Sequence, residues 1–261
     1  MEREFDGRVV LVTGASKGIG LACAQAFAAA GARVAGVSRS AQNLAAALQA
    51  LQAAGATMSV FEADVGDADA AARAVEAVES ALGPIDVLVN SAGAARRFAP
   101  DELGAAAFRQ GMDAKYFSTV HVLEPVVRRM AARGRGAVVN IVGQGGRQAG
   151  ITHIPGGAAN AALMLATVGY ARAYAGRGVR VNAINPGMTR TGRVQEGLNA
   201  AARASGRSLE AVLADEIARI PMGRMAEPEE IAQVALFLAS ARASYVSGAV
   251  IPMDGCATSV I

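Results

Sequence analysis

Short apolar runs rich in β-branched residues alternate along the chain with longer segments in which apolar residues recur at helical spacing. The short runs predict strands at 9–12, 33–37, 58–62, 85–89, 136–142 and 180–184. The longer segments predict helices at 19–30, 44–54, 68–82, 105–132 and 158–174. Strands that alternate with helices of about 10–20 residues indicate βαβ units. The pattern therefore predicts an α/β fold, a doubly wound parallel sheet covered by helices on both faces.

One stretch, 192–225, interrupts this alternation with helical sequence of mixed polar and apolar character. We expect it to form an excursion over the edge of the sheet, where a substrate lid would lie. A plain pair of surface helices is the alternative. The stretch contains Arg193, Arg203, Arg207 and Arg219, which would favour an anionic substrate, and surface solvation explains them equally well. No Pro- or Ser-rich linker, low-complexity block or repeat of fixed period divides the chain. Residues 1–261 are therefore expected to form a single domain.

Composition removes several classes of protein. The chain has 261 residues, of which 52% are hydrophobic and 18% charged, which excludes intrinsic disorder. Two cysteines, Cys23 and Cys256, exclude a disulfide scaffold and a Cys-based zinc module, and two histidines argue against a His-rich site, so we expect no metal. The net charge is only +3 and the arginines are scattered, so we expect no nucleic-acid partner.

The ends and the apolar stretches indicate where the protein works. The first eight residues carry mixed charges and lead straight into a predicted strand, which is unlike a secretory signal. The longest apolar stretches fall short of the ~18–20 residues that span a bilayer. We therefore expect a cytoplasmic protein with no membrane partner, acting on a small-molecule substrate.

A glycine-rich turn follows the first predicted strand. Positions 13–20 read T-G-A-S-K-G-I-G, and a helix is predicted to begin there. Glycines allow the backbone to approach a pyrophosphate closely, and the N–H groups at a helix N-terminus attract anions. Because the turn lies at the head of a βαβ unit, it predicts nucleotide binding more strongly than a glycine triplet alone would.

The end of the second predicted strand bears on the choice of nucleotide. NAD-binding proteins usually carry an acidic residue there, which holds the ribose 2′-hydroxyl. No Asp or Glu occurs between Gly31 and Val60, and the strand instead ends in Ser38 and Arg39. A guanidinium can bind a 2′-phosphate in a bidentate way, and Lys17 adds a second positive charge. We therefore predict NADP(H) as the cofactor.

Motifs in a fixed order make the whole chain resemble the short-chain dehydrogenase/reductase family. They are T-G-x-x-x-G-x-G at 13–20, D-V at 64–65, N-S-A-G at 90–93, V-N-A-I-N-P-G at 181–187 and a C-terminal pattern from 223 to 255. The resemblance implies a Rossmann-like sheet of about seven strands and a homodimer or homotetramer, with 105–132 and 158–174 as dimerising faces. It implies these cofactor-binding residues: Gly14, Ser16, Lys17, Gly18, Ile19, Gly20, Arg39, Asp64, Val65, Asn90, Ala92, Gly93, Pro186, Gly187, Thr189 and Thr191.

The family's Asn-Ser-Tyr-Lys catalytic set is not matched. The resemblance aligns its asparagine with Asp113, its serine with Gly143, its tyrosine with Gly156 and its lysine with Asn160. The chain has two lysines, Lys17 and Lys115, so none follows the tyrosine position. The usual Tyr-Lys pair is therefore expected to be absent, and the two glycines are expected to enlarge the substrate pocket.

Three residues are candidates for the missing chemistry. His153 is the best substitute proton donor because imidazole titrates near neutral pH. Asp113 would carry a proton if desolvation raised its pKa. Asn160 and, beside these three candidates, Gln144 would donate hydrogen bonds, and Asn160 would also hold the nicotinamide ribose. Ordinary structural roles remain open for His153 and Asp113, and are the expectation for Lys115 and His121.

Three functions fit these residues. The first, which we favour, is an NADP(H)-dependent oxidoreductase acting on a carbonyl or alcohol with non-standard acid/base residues. The second is a lyase or isomerase on the same fold. The third is a cofactor-binding pseudoenzyme or the partner subunit of an active relative.

Overall fold

The computed structural model describes residues 4–93 and 95–259, and its centre is a parallel sheet. The strands lie in the order β3-β2-β1-β4-β5-β6-β7, and neighbouring strands pair in parallel register. The strands are β1 (Val9–Thr13), β2 (Arg33–Ser38), β3 (Ser59–Glu62), β4 (Ile85–Asn90), β5 (Gly136–Ile141), β6 (Val179–Pro186) and β7 (Val250–Met253). The doubly wound α/β sheet of seven strands is confirmed.

The central strands are continuous apolar runs because both faces of the sheet are covered. Every residue of β1 is buried, whereas the edge strands β3 and β7 leave residues partly or fully exposed. The strand order reverses between β1 and β4, which in doubly wound sheets marks the ligand crevice at the carboxyl ends of the strands.

Helices cover both faces of the sheet. They are α1 (Gly18–Ala29), α2 (Ala41–Ala53), α3 (Ala68–Leu82), α4 (Ala105–Gly111), α5 (Ser118–Ala132), α6 (Ile154–Tyr174), α7 (Gly192–Ser205), α8 (Leu209–Ala218) and α9 (Pro228–Ala239). The core on one face joins α1, α2 and α9, with Phe27 and Leu238 among its buried residues. The core on the other face joins α3 and α5, with Val78 and Val126.

Two helices begin earlier than the sequence pattern predicts. Ser40 caps α2 by accepting a hydrogen bond from the Asn43 backbone N–H, so α2 starts before the first apolar residue of its buried face. The first turn of α6 contains Pro155, followed by Gly156 and Gly157. Proline is well suited to a first helical turn, whereas the two glycines have low helix propensity and obscured the start of α6.

The predicted helix 105–132 is interrupted rather than uniform. Between α4 and α5 the chain forms a π-helix, Met112–Phe117. Its wider turn changes the direction of the side chains that follow, and single π-turns frequently lie at functional sites. Asp113 and Lys115 both belong to this segment.

The segment expected to be a lid forms α7 and α8, which pack on each other. Leu198 and Ala202 of α7 and Val212 of α8 make a small apolar cluster separate from the two main cores. Among the helices of residues 4–93 and 95–259, none is long and apolar enough to cross a membrane.

Candidate active site

The carboxyl ends of β1 and β4 are tied together by one hydroxyl group. Thr13 Oγ1 accepts hydrogen bonds from the backbone N–H groups of Ser91 and Ala92, both at 3.1 Å. Gly14 follows with φ +68°, and a Cβ atom there would lie 2.9 Å from the backbone of Ser91 and Ala92. Only glycine fits this conformation and this close approach.

Substitution of Thr13 with valine tests this tie. Valine keeps the shape of the side chain but leaves two partly buried N–H groups without their acceptor, so the free energy of unfolding should fall by about 1–3 kcal/mol. Urea unfolding measures the change, and Thr13→Ser, which retains the hydroxyl, is the control. Equal stability of Thr13→Val and the wild type would contradict the assignment.

The turn that follows is a cradle of backbone atoms. A Cβ atom at Gly20 would collide with the Gly14 carbonyl oxygen, and one at Gly18 would lie 3.1 Å from Thr191 Cγ2. Thr191 in turn caps α7 by accepting from the Val194 N–H. The turn and the start of α7 are thus brought together, although about 170 residues separate them in sequence, as in the ligand crevices of doubly wound sheets.

Polar and charged side chains flank the cradle at the end of β2. Ser16 Oγ and Ser38 Oγ lie 3.0 Å apart, which joins the turn to β2. Arg39 keeps 73% of its side chain exposed and lies 4.0 Å from Asp64, and Lys17 is also exposed. Both side chains are therefore accessible to an anion next to the turn, and Arg39 has Asp64 as its neighbour.

The N-S-A-G segment packs against the π-helix. Gly93 has φ +122°, and a Cβ atom there would lie 2.6 Å from the Ala114 carbonyl oxygen and 3.3 Å from Lys115 Cα. Asn90 donates from Nδ2 to Asn140 Oδ1 at 3.0 Å, which links the ends of β4 and β5. The remaining implied cofactor residues, Ile19, Val65, Ala92, Pro186, Gly187 and Thr189, lie at or just beyond strand ends or at the first turn of α1.

Lys115 enters the site from the π-helix. Its Nζ donates to the carbonyl oxygen of Val142 at 2.8 Å. Val142 is the residue before Gly143. Burial, and secondarily the positive charge of Arg193, lowers the pKa of Lys115 to about 8. The ammonium of Lys115 thus lies at the end of β5, where its bond to a backbone carbonyl is compatible with the structural role expected for it.

His153 fills the space beside Gly156. A Cβ atom at Gly156 would collide with Cε1 of the imidazole and lie 2.5 Å from its Nε2. The pocket is therefore not enlarged at this position, because the histidine ring replaces the volume that the glycine lacks. Nδ1 of His153 is buried and has no hydrogen-bond partner among the described residues. Burial, followed by the charges of Lys115, Arg97 and Arg193, lowers the pKa of His153 to about 4.

Asn160 and Gln144 adjoin the histidine. A Cβ atom at Gly143 would lie 3.3 Å from Asn160 Nδ2, and one at Gly145 would lie 3.1 Å from His153 Cδ2 and 3.5 Å from the same Nδ2. Asn160 Oδ1 is buried and finds no partner within the described chain. Gln144 Oε1 lies 2.6 Å from where a Cβ of Gly187 would be. These amides therefore lie between His153 and the predicted nicotinamide-binding residues.

Two arginines that the motifs did not single out complete the site. Arg193, in the first turn of α7, donates to the carbonyl oxygens of Gly93 at 3.4 Å and Ala95 at 3.1 Å. Arg97 donates to Thr152 Oγ1 at 3.3 Å, next to His153. Both arginines make contacts between distant loops, which local sequence does not predict. The sequence indicates Arg193 only as one of four arginines in 192–225.

Asp113 and His121 lie apart from this group. Asp113 is exposed on the π-helix, and the charges that act on Lys115 and His153 within the described residues do not include it. His121 contacts the Val65 carbonyl oxygen through Nδ1 at 3.2 Å and stacks on Phe117, as expected for a structural residue. Of the two histidines, only His153 lies in the crevice. In the described ranges, no three His, Cys, Asp or Glu side chains are arranged to hold a metal ion.

The low pKa of His153 predicts how stability depends on pH. The unfolded chain binds a proton at this histidine below about pH 6.5, whereas the folded chain does so only near pH 4. Stability should therefore fall as the pH is lowered through this window. His153→Gln should remove that part of the fall and His121→Gln should not, as measured by urea unfolding at about pH 7.5 and about pH 4.5. If the free energy of unfolding of the wild type and of His153→Gln depended on pH in the same way, the lowered pKa of His153 would be refuted.

The sequence matches known proteins along nearly its whole length. A family model described as enoyl-(acyl carrier protein) reductase matches residues 14–258. The chain is 40% identical over 260 residues to galactitol 2-dehydrogenase (L-tagatose-forming) of Cereibacter sphaeroides, covering 96% of this chain and 95% of that one. It is 37% identical over 263 residues to cis-4-hydroxycyclohexanecarboxylate dehydrogenase of Sinomonas cyclohexanicum, covering 100% of both.

A solved structure shows the same fold with its ligands. L-sorbose reductase from Gluconobacter frateurii, complexed with NADPH and L-sorbose, superposes with a TM-score of 0.93 at 29% identity and full coverage of both chains. The match to the family model spans most of the chain, and the relatives align along nearly their whole length. The chain therefore belongs to the short-chain dehydrogenase/reductase family.

Proposed function

We propose that the protein is an NADP(H)-dependent oxidoreductase that interconverts an alcohol and a carbonyl compound, with His153 as the proton-transferring residue. The observation that carries the proposal is the position of the imidazole ring, which occupies the space beside Gly156, where the family resemblance aligns the tyrosine. The relatives are dehydrogenases and reductases of hydroxyl-bearing compounds, and one of those compounds carries a carboxylate.

The residues present fit a dinucleotide. Gly14, Gly18 and Gly20 leave a backbone cradle that side chains would fill, at the N-terminus of α1. The exposed side chains of Arg39 and Lys17 would bind the 2′-phosphate. The buried Oδ1 of Asn160 would accept a hydrogen bond from a ribose hydroxyl. The L-sorbose reductase complex with NADPH, on the same fold, supports this choice. When bound, the cofactor supplies or accepts the hydride.

The imidazole of His153 accepts or donates the proton that is transferred together with the hydride. Its low pKa keeps it neutral at pH 7, with one nitrogen that donates and one that accepts. In alcohol oxidation the accepting nitrogen takes the hydroxyl proton as the carbonyl forms. In reduction the imidazole returns that proton to the oxygen. Lys115, held at Val142, contributes positive charge that stabilises a developing alkoxide.

The other candidates take supporting roles in this proposal. Asn160 orients the cofactor ribose, and Gln144 donates to substrate or nicotinamide beside Gly187. Asp113 has no assigned step because its side chain is exposed. The 192–225 segment serves as the substrate lid of the single domain, since Arg193 ties the start of α7 to the loop that carries Ala95.

A cofactor-binding pseudoenzyme is the competing function. It is favoured by one observation, that Gly143, Gly156 and Asn160 stand where the resemblance aligns the serine, tyrosine and lysine. No particular feature of the site favours a lyase or isomerase over these two.

Calorimetry with NADPH and NADH, followed by absorbance assays on polyols, hydroxy acids and the corresponding ketones, tests the proposal. NADPH should bind more tightly than NADH and should be consumed with at least one ketone. Failure to bind NADPH would refute the cofactor, whereas tight binding with no turnover on any substrate would favour the pseudoenzyme.

We also propose that the chain forms a homodimer or homotetramer through α4, α5 and α6. Large apolar side chains are exposed on α4 (Phe108), on the π-helix that joins α4 to α5 (Phe117) and on α6 (Leu165), and Leu165 is 75% exposed. Burying such residues against a second copy would be favourable. Light scattering should report two or four chains, and Leu165→Arg should shift the mass downward. A monomeric wild type would contradict the expectation.

A further inference from the structure

Three cations from different parts of the chain surround His153. Lys115 comes from the π-helix, Arg193 from the start of α7, and Arg97 from the loop after β4. All three act on the imidazole as positive charges. Glu196, on the same helix as Arg193, is an acidic side chain that acts on Arg193.

The contacts of the three cations leave donors unused. Lys115 Nζ makes one hydrogen bond in the described chain, to the Val142 carbonyl, although an ammonium has three N–H donors. Arg193 uses Nη1 and Nη2 on the carbonyls of Gly93 and Ala95, and Arg97 uses Nη1 on Thr152. A guanidinium has five N–H donors, so each can also bind an anion.

The same contacts place the cations around one space. Ala95 Cβ lies 2.8 Å from where a Cβ of Gly156 would be, which is the position that the His153 ring approaches. Arg193 is bonded to the Ala95 carbonyl, and Arg97 to the residue before His153. Lys115 reaches the other side of this space through Val142 and Gly143, which adjoins Asn160. The Gly93 carbonyl that Arg193 also contacts belongs to the N-S-A-G segment, so this space adjoins the predicted cofactor crevice.

We propose, on the basis of the proposed function, that the substrate is an alcohol or ketone that carries a carboxylate, bound by Lys115 and Arg193 with Arg97 at the entrance. The positive charges of Lys115, Arg97 and Arg193 repel one another, and Glu196 acts on the charge of Arg193. An anionic substrate group would reduce the repulsion that remains. Bidentate Arg–carboxylate contacts also orient the substrate, which brings its hydroxyl carbon to a fixed position beside His153.

The carboxylate also changes the acid/base group. The positive charges of Lys115, Arg97 and Arg193 disfavour the protonated imidazole. A bound carboxylate offsets these charges, so the pKa of His153 rises toward the working pH when the correct substrate is present. A neutral substrate would leave His153 a weaker base.

The experiment uses the full chain loaded with NADPH and two unreactive probes, cyclohexanecarboxylate and its neutral analogue cyclohexanecarboxamide, with acetate as the smallest carboxylate. Calorimetry should show the carboxylate binding about tenfold or more tighter than the carboxamide. Arg193→Gln and Lys115→Gln should bring the ratio close to one. Arg203→Gln, which removes an exposed charge roughly 15 Å further along α7, should leave it unchanged.

NMR of the two histidines gives a readout that needs neither turnover nor a variant. The carboxylate should raise the pKa of His153 by about one unit or more, the carboxamide should not, and His121 should be unaffected by either. Equal affinity for the two cyclohexane probes, or no binding of either carboxylate, would overturn the inference. Persistence of the preference in Arg193→Gln would overturn the assigned residues.

The outcomes separate this inference from the proposed function. Turnover of neutral alcohols without preference for the carboxylate overturns the inference alone. Carboxylate preference without hydride transfer to any carbonyl overturns the oxidoreductase proposal. Carboxylate binding by the chain without cofactor that is absent from the NADPH-loaded chain would show that Arg193 binds the phosphates of the cofactor instead, and would overturn the inference.

Discussion

Replacing His153 with alanine is expected to lower kcat by about 10²–10⁴-fold, the range typical of losing a general acid/base residue. The imidazole is the titratable group that fills the space beside Gly156, and the exposed Asp113 is not placed to substitute for it. NADPH affinity should change by less than about twofold, because His153 is not among the residues that cradle the phosphates. Steady-state kinetics and calorimetry on the same preparation measure both quantities.

The controls separate chemistry from packing. His153→Gln retains hydrogen-bonding atoms but cannot take up a proton near neutral pH, so it should lose nearly as much activity as the alanine variant. His121→Ala removes the other histidine, whose ring stacks on Phe117, and should keep kcat close to that of the wild type. A His153→Ala variant with kcat within about threefold of the wild type would rule out His153 as the proton-transferring residue.

Replacing Arg39 with alanine is expected to weaken NADPH binding by about 10–100-fold, because hydrogen bonds to charged groups contribute about 1.5–3 kcal/mol. NADH has no 2′-phosphate, so its affinity should change by less than about twofold. The argument depends on the exposed guanidinium at the end of β2, on Lys17 across the turn, and on serine rather than an acid at position 38.

Arg33→Ala is the matched control for this substitution, because Arg33 is an exposed arginine at the opposite end of β2. It should leave both affinities unchanged. Ser38→Asp should act in the same direction as the loss of Arg39, since its carboxylate would repel the 2′-phosphate and accept from a ribose hydroxyl. Equal loss of NADPH and NADH binding in Arg39→Ala would mean that the residue supports the fold rather than recognising phosphate.

The fold and the cofactor crevice follow from local sequence, whereas the chemistry beside His153 does not. Apolar runs and glycine turns predict the strands and the cradle, because burial on both faces and positive φ angles impose strict local requirements. The position of the Lys115 ammonium in the crevice could not be predicted, because Lys115 lies on a π-helix and a π-helix has no simple sequence signature. The missing side chain at Gly156 suggested a larger pocket, yet a ring three residues earlier fills it.

The positions of Arg193 and Arg97 could not be predicted from local sequence either. Arg193 and Arg97 are scattered charges in the sequence, and their positions depend on the contact of α7 with the loop at Ala95 and of that loop with Thr152. Such long-range contacts are set by tertiary packing. Residues 1–3, 94 and 260–261 lie outside the described residues, and no predicted site residue falls on them.

Transfer of deuterium from 4-deuterated NADPH tests the central claim most directly. The protein is incubated with the labelled cofactor and a panel of ketones, including keto acids with one carboxylate, and the products are analysed by mass spectrometry. We predict one deuterium on the carbinol carbon of at least one product, with transfer lost in His153→Ala. Tight NADPH binding with no deuterium in any product would contradict the account.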